Sequence, residues 1–253
     1  MPSLDQTQLL GRFPLIIEPA NCDINGTAPL QDIVSHLLHA STDHAEENGF
    51  GFSFMETIQK AWVVSRMGIY IERAPVHDER VMLYTWISNV DHYFTQRNFA
   101  ILDKDGAYIV RAQAFWAAID YKTRRPADLP TIQNGKITRM IVDRDPNFQV
   151  PKLSRIPSVD LPPVLTYSPK YGDIDINHHF NSAKLVEHAL NLYSDELLSG
   201  THVRQMEVVF LSEGTYGMNI HFCKSPDNVV DLKNAANNTS ICRMRFVFDG
   251  KES

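Results

Sequence analysis

The sequence predicts an α+β fold laid down twice, and three observations carry the prediction. Each half holds an apolar stripe with helical spacing, alternating strand segments follow each stripe, and a proline-rich stretch separates the halves. At about 150 residues per domain, 253 residues make one large domain or two small ones. With 43% hydrophobic and 21% charged residues the chain can build a sizeable core, and disorder, collagen and coiled coil are excluded.

Leu30, Ile33, Val34, Leu37 and Leu38 fall at i, i+3, i+4, i+7 and i+8, one face of a helix. Pro29 suits its first position, and Asp32 in the first turn complements the helix dipole. Tyr108 to Asp120 then alternates as a strand, with Trp116 and small residues on one face. Eight of the 14 prolines (Pro126, Pro130, Pro146, Pro151, Pro157, Pro162, Pro163 and Pro169) follow within 44 residues. Each removes a backbone donor and disfavours helix before it, so a long extended connection between two domains is expected. Leu185, Val186, Ala189, Leu190 and Tyr193 repeat the helical stripe, in a helix expected over 181–198 with Gly200 as its stop. Ile241 to Phe248 alternates cleanly, with Cys242, Met244, Phe246 and Phe248 on one face and Arg243 and Arg245 on the other.

An offset of 139 lays Met67–Leu83 over Met206–Phe222, with apolar residues meeting in six columns and the turn signals Pro75/Gly214 and Asp78/Gly217 coinciding. A match of this quality is suggestive of a repeat. Helix then antiparallel strands, twice, lets each sheet bury one face on its own helix.

The longest apolar runs, such as Phe115 to Ile119, are far short of the ~20 residues needed to cross a bilayer, so no membrane is expected as partner. There is no Lys or Arg before Arg12, and Leu15-Ile16-Ile17 is too short for a signal core, so no secretory signal is expected. Three scattered cysteines (Cys22, Cys223, Cys242) suit neither a disulfide framework nor zinc, and a soluble protein of a reducing, cytoplasmic compartment is the expectation. A net charge of −6 argues against nucleic acid as partner.

The densest polar cluster is Tyr171-Gly-Asp173-Ile-Asp175-Ile-Asn177-His178-His179-Phe-Asn181-Ser182, just ahead of the second helix. As a calcium loop it fails, because the required Gly and Glu are replaced by His178 and Lys184. A transition metal could use the paired histidines, but neighbours seldom face one ion and no further ligand motif completes the set. Two readings stay open. One is a polar loop whose Asn181 or Ser182 caps the helix. The other is a catalytic loop whose helix N-terminus polarises a carbonyl oxygen. In the offset alignment Glu213 lies over Ala74, a carboxylate present in only one copy of the unit.

At these residues the chain resembles the acyl-[acyl carrier protein] thioesterases, plant and bacterial enzymes that release fatty acids from their carrier. Asp175-Ile-Asn177-His178-His179-Phe-Asn181 is similar to the family's D-x-N-x-H-x-N motif, and Phe210-Leu-Ser-Glu213 to the strand carrying its glutamate. Trp62-Val-Val-Ser-Arg66 resembles W-V-L-x-R. Asp91-His-Tyr-Phe94 with Arg97-Asn-Phe99 resembles D-x-x-F-x-x-R-D-F, and Asp120-Tyr-Lys-Thr-Arg-Arg-Pro126 the end of L-D-x-x-T-R-R-P. The likeness runs over roughly residues 5–250. Asn98 and Ser182 depart from the pattern. Gly214 stands where plant members have a Cys, which speaks against a thiolate nucleophile.

The resemblance implies a double hotdog: an acyl-binding hotdog over 1–125, a proline-rich linker over 126–166 and a catalytic hotdog over 167–253. It implies hydrolysis of the thioester of a fatty acyl group carried on phosphopantetheine, with no cofactor and no metal. Glu213 would be general base or transient nucleophile, best with a pKa raised by burial. Asn177 and His179 would orient water or carbonyl, Asp175 would hold one of them, and backbone N–H groups at the second helix's start would complete an oxyanion site. Trp62, Met67, Phe94 and Trp116 would line the acyl tunnel. Residues 121–155 hold eight basic and three acidic side chains, a balance of +5, so Arg124, Arg125 and Arg139 are expected to steer the acyl carrier protein. Rival readings are a hotdog enzyme acting on acyl-CoA and a non-catalytic acyl-binding protein. Chain length, and whether the chain forms a homodimer, are left open.

Overall fold

A computed structural model describes residues 9–142 and 148–249. The first half runs through β1 (Gly11–Ile16), α1 (Leu30–Glu47), α2 (Phe52–Thr57), β2 (Lys60–Ile71), β3 (Arg80–Val90), β4 (Thr95–Leu102) and β5 (Tyr108–Asp120). The second runs through β6 (Leu165–Tyr167), α3 (Ser182–Leu190), α4 (Asp195–Gly200), β7 (Val203–Phe210), β8 (Ile220–Lys224), β9 (Val229–Asn234) and β10 (Ser240–Phe248).

All ten strands join one antiparallel sheet in the order β1-β3-β4-β5-β2-β7-β10-β9-β8-β6. Read outward from the centre, each half has the same connectivity, and each half-sheet wraps a helix, α1 in the first and the shorter α3 in the second: a double hotdog. The seam is β2 against β7, and its register gives the sequence offset a physical meaning. Gly68 faces Glu207 across the seam, and these two residues are also equivalent under the shift of 139. A pseudo-two-fold axis therefore passes through that pair. The halves are thus hydrogen-bonded edge to edge, not strung on a linker.

The concave face buries α1 through Leu30, Ile33, Val34, Leu37, Ala40, Ser41, His44 and Ala45. Helix α3 buries Leu185, Val186 and Ala189 and packs beside α1. Cys242, Met244 and Phe246 of β10 close the core beneath them, as their alternation requires. The expected helix over 181–198 is two helices. The first stops at Leu190, and Ser194 starts the second by accepting the Leu197 N–H, with Asp195 and Glu196 in its first turn.

The proline-rich segment is a strap, not a solvated linker. It begins with 3₁₀ turns over Leu129–Met140, kinked where Gln133, Asn134 and Gly135 take φ of 50, 53 and 69°. There Leu129, Ile137 and Met140 pack with Ala45, Phe50 and Met55 on the helix side, and the chain then crosses the sheet's outer face, burying Phe148, Ile156 and Val159. The crossing explains Gly68, where an added Cβ would come within 2.3 Å of Leu153. Glu207 beside it accepts from the Ser154 hydroxyl, and the Tyr70 hydroxyl donates to Pro151 O at 3.1 Å. Asp143, Arg144 and Asp145 of the +5 segment, and Pro146, lie outside the described residues. The strap ends by adding β6 to the sheet, so a boundary at 166/167 cuts through a strand.

One buried pair makes stability pH-dependent. His44 Nε2 donates to Leu9 O at 3.0 Å, leaving Nδ1 to accept from Arg97 Nη1 at 3.0 Å. Burial, with the Arg97 charge adding to it, lowers the His44 pKa to about 4. The unfolded chain therefore takes up a proton near pH 6.5 that the folded chain refuses until about 4. This contribution is complete above pH 6.5 and is lost as pH falls through that window. Between pH 7 and 4.5 it amounts to about 2–3 kcal/mol. Urea unfolding at the two pH values should show a loss of that size in the wild type that His44→Gln lacks. Equal slopes in the two proteins would refute the assignment.

Candidate active site

The loop after β6 is organised by two aspartates. Asp173 is buried and accepts from the Tyr167 hydroxyl at 2.6 Å, the Lys170 N–H at 2.7 Å and His188 Nε2 at 3.1 Å. Burial alone would raise its pKa, but these hydrogen bonds outweigh it and hold the carboxyl below its ordinary value. Asp173 is thus a structural anchor. Asp175 Oδ1 accepts the N–H groups of Asn177 at 2.9 Å and His179 at 3.1 Å, so it holds both residues by their backbones, not their side chains. A turn closed by His178 N–H to Asp175 O at 3.0 Å, with His178 at φ 64°, swings His178 outward and His179 inward.

The turn after β7 brings the other partner. Phe180 N–H donates to Gly214 O at 2.8 Å and His179 bridges to Thr215, which fixes the two loops side by side. His179 Nε2 then lies 3.2 Å from Glu213 Oε2. The other oxygen, Glu213 Oε1, accepts from Arg124 Nη2. The burial expected of Glu213 is absent, since its side chain is 40% exposed. At Gly214 a Cβ would sit 3.2 Å from Phe180 and 3.4 Å from Ile220, pointing into packed side chains. Cys223 and Cys242 are buried, with thiol pKa values pushed up by burial, and no cysteine lines the site among the described residues.

Asp175, Asn177, His179 and Glu213 stand at one end of a cavity of about 990 Å³. The cavity runs under α1 and α2 and along the first-half strands, with Trp62, Phe94 and Trp116 in its wall. Met67 is not among the lining residues. It lies on the same concave face as Arg97, opposite Ala114 and Val208, but further along β2 than Trp62, where it is packed into the core and not exposed to the cavity. Deeper along the strands, opposite Ala114, the wall includes Arg97, whose pKa burial lowers to about 9. Phe52, Tyr121, Ile176 and Leu211 line the cavity and are also exposed, forming an apolar rim.

Two expectations change. The start of α3 cannot offer its Ala183 and Lys184 N–H groups to an oxyanion, because Asn181 Oδ1 already accepts both, at 2.8 and 3.3 Å. Asn181 is the helix cap, as the polar-loop reading held. Arg124, Arg125 and Arg139 are all exposed, and of the three Arg124 is the one that lines the cavity and meets Glu213. Its contact with Glu213 escapes the sequence because it joins residues 89 apart through two loops. No cluster of three metal-ligating side chains occurs among the described residues. No helix among them is long and apolar enough to cross a membrane.

Comparison with known proteins gives consistent matches. The model of the acyl-ACP thioesterase N-terminal domain matches residues 14–132, and that of the C-terminal domain residues 159–252. The crystal structure of an acyl-ACP thioesterase from Bacteroides thetaiotaomicron is 32% identical with a TM-score of 0.86, covering 96% of this chain and 99% of that one. The 12:0-ACP thioesterase from Umbellularia californica, 20% identical, shares the fold with a TM-score of 0.81 over 96% of this chain and 98% of its own. The palmitoyl-acyl carrier protein thioesterase of Cuphea hookeriana, a chloroplastic protein, is 26% identical over 78% of this chain and 50% of its own length. The chain spans about half the length of the curated relatives it matches first.

Proposed function

The chain belongs to the acyl-ACP thioesterase family, and on that premise we propose that it hydrolyses the thioester of fatty acyl-[acyl carrier protein], releasing the free fatty acid and ending chain elongation. The observation that carries this reading is the cavity itself. Most of its apolar wall comes from the first half, and Asp175, Asn177, His179 and Glu213 of the second half stand at its mouth. Such a wall suits an acyl chain of low polarity, and the mouth is where the thioester would lie.

In the proposed reaction the Glu213 carboxylate takes a proton from a water positioned by His179 and Asn177. The water oxygen bonds to the carbonyl carbon, giving a tetrahedral oxyanion. Collapse breaks the carbon–sulfur bond, and the proton on Glu213 passes to the departing pantetheine sulfur. Asp175 keeps the Asn177 and His179 backbones in place through the two N–H bonds that it accepts.

Arg125 and Arg139 are proposed as surface cations that steer the acidic carrier, with the apolar rim receiving the pantetheine arm. The free cysteines suit a reducing compartment, and the cytoplasm is the proposed location. Both halves of the chain supply residues to the site. The test is thiol release from matched acyl-carrier and acyl-CoA thioesters. Preferential cleavage of the carrier-bound thioester is the expected result. Preference for CoA would reassign the substrate, and cleavage of neither would leave an acyl-binding protein.

A further inference from the structure

Hydrolysis of a thioester needs a donor for the oxygen that becomes negative, and the start of α3 has spent its Ala183 and Lys184 N–H groups on Asn181. Two cationic side chains line the cavity among the described residues. Arg97 is deep and committed to His44 and Thr85. Arg124 is at the mouth.

Arg124 is delivered there by a tightly closed turn. Asp120 Oδ1 accepts the N–H groups of Lys122 at 3.1 Å and Thr123 at 2.9 Å, and Asp120 Oδ2 is held by Lys60 Nζ at 3.2 Å. The Arg124 N–H returns to Asp120 O at 2.9 Å, and Arg125 O accepts the Asp120 N–H at 3.0 Å. These bonds hold Arg124 at φ 58°, a left-handed conformation that a residue with a Cβ disfavours. The strained residue is the one that reaches Glu213.

We propose that Arg124 is a catalytic residue that binds the carbonyl oxygen of the thioester and stabilises the oxyanion. This deepens the thioesterase reading and rests on it. A guanidinium has five N–H donors in a planar fork, so Arg124 can meet a carboxylate and a carbonyl oxygen at once. Without substrate it occupies Glu213 Oε1. When the thioester enters, the guanidinium turns part of its fork to the carbonyl oxygen and frees Oε1 to receive the water proton. The same residue then shields the base until substrate arrives and compensates the charge that the base creates.

The experiment compares wild type, Arg124→Gln, Arg124→Lys, Glu213→Gln and the Arg124→Gln/Glu213→Gln double variant. Each is assayed on a dodecanoyl carrier-protein thioester and on dodecanoyl-N-acetylcysteamine, which has no carrier. Arg124→Gln should lower kcat by about 10²–10³-fold on both substrates with KM little changed, and Arg124→Lys should recover part of the rate. In the Glu213→Gln background, removing Arg124 should cost a further tenfold or more. A rise in KM confined to the carrier substrate would make Arg124 a docking residue and overturn the proposal. An unchanged rate on adding Arg124→Gln to Glu213→Gln would overturn it too, since Arg124 would then act only by holding Glu213. If wild type cleaves neither substrate type at dodecanoyl or at any other acyl length in a matched series, the thioesterase reading itself fails, a result distinct from both.

Discussion

Glu213→Gln is expected to lower kcat for thioester hydrolysis by about 10²–10⁴-fold while leaving KM within a small factor of wild type. The amide has the shape of the carboxylate and can still meet His179 and Arg124, so the variant removes the proton acceptor with little else. With a side chain 40% exposed and no core contact to lose, the substitution should leave the unfolding midpoint unchanged. His179→Ala should cost a comparable factor, because Glu213 Oε2 would lose the partner 3.2 Å away that fixes its direction. The two losses should not add. Residues acting as one unit are non-additive, so the His179→Ala/Glu213→Gln double variant should be about as slow as the worse single one. Near-wild-type kcat for both single variants would remove the pair from the chemistry.

Local periodicity made the scaffold legible. The stripe from Leu30 to Leu38 fell on α1, and the strands read at Tyr108–Asp120 and Ile241–Phe248 appear as β5 and as all but the first residue of β10, because a face buried on one side writes its period into the sequence. The offset of 139 was legible too, though its cause was not. It reflects a seam in which Gly68 and Glu207 lie on the pseudo-axis, and nothing in either segment alone announces strand pairing between them. The strap was misread because Ile137, Phe148, Ile156 and Val159 follow no period. Ile137 is buried against the α1 and α2 ends and the other three by crossing an existing sheet face, and prolines mark only that the path is extended. The break between α3 and α4 had a readable signal in Ser194-Asp195-Glu196, a cap followed by an acidic first turn.

At the site, Asp175, Asn177, His179 and Glu213 could be picked out by type and motif, and the fold brings all four to one mouth. The roles within it were less readable. Asp173 and Asp175 look alike in a string, yet one is buried on Tyr167 and His188 and the other caps a turn. Arg124 was grouped with other cations by a charge count, which sums over a segment and carries no direction. Its contact depends on a left-handed residue in a turn, a feature that a glycine-poor sequence does not advertise.

The largest loss of stability is expected from Asp231→Ala, far from the chemistry. Asp231 on β9 is fully buried on the outer face, where its Oδ2 accepts the Ser158 hydroxyl at 2.8 Å and the Val159 N–H at 3.0 Å. Arg243 Nε lies 3.5 Å away and the buried Lys233 Nζ 3.9 Å away, with Lys233 also donating to Val159 O at 2.7 Å. One carboxylate thus pins the strap and offsets the buried Lys233 and the partly buried Arg243. Forming such a cluster yields little net stability, because desolvation consumes the attraction, but removing one member leaves charge buried without compensation. That asymmetry puts the cost of Asp231→Ala at about 3–5 kcal/mol, or roughly 6–20 °C in Tm for a chain of this size. Asp231→Asn keeps an acceptor for Ser158 and Val159 and should fall between the two. The cavity is on the sheet's other face, so the fraction that remains folded at low temperature should keep wild-type kcat, with protease cleavage appearing first in the strap around Ser154–Val159. A Tm within a degree or two of wild type would show that the strap is held by its apolar contacts and that the charge cluster is incidental to it.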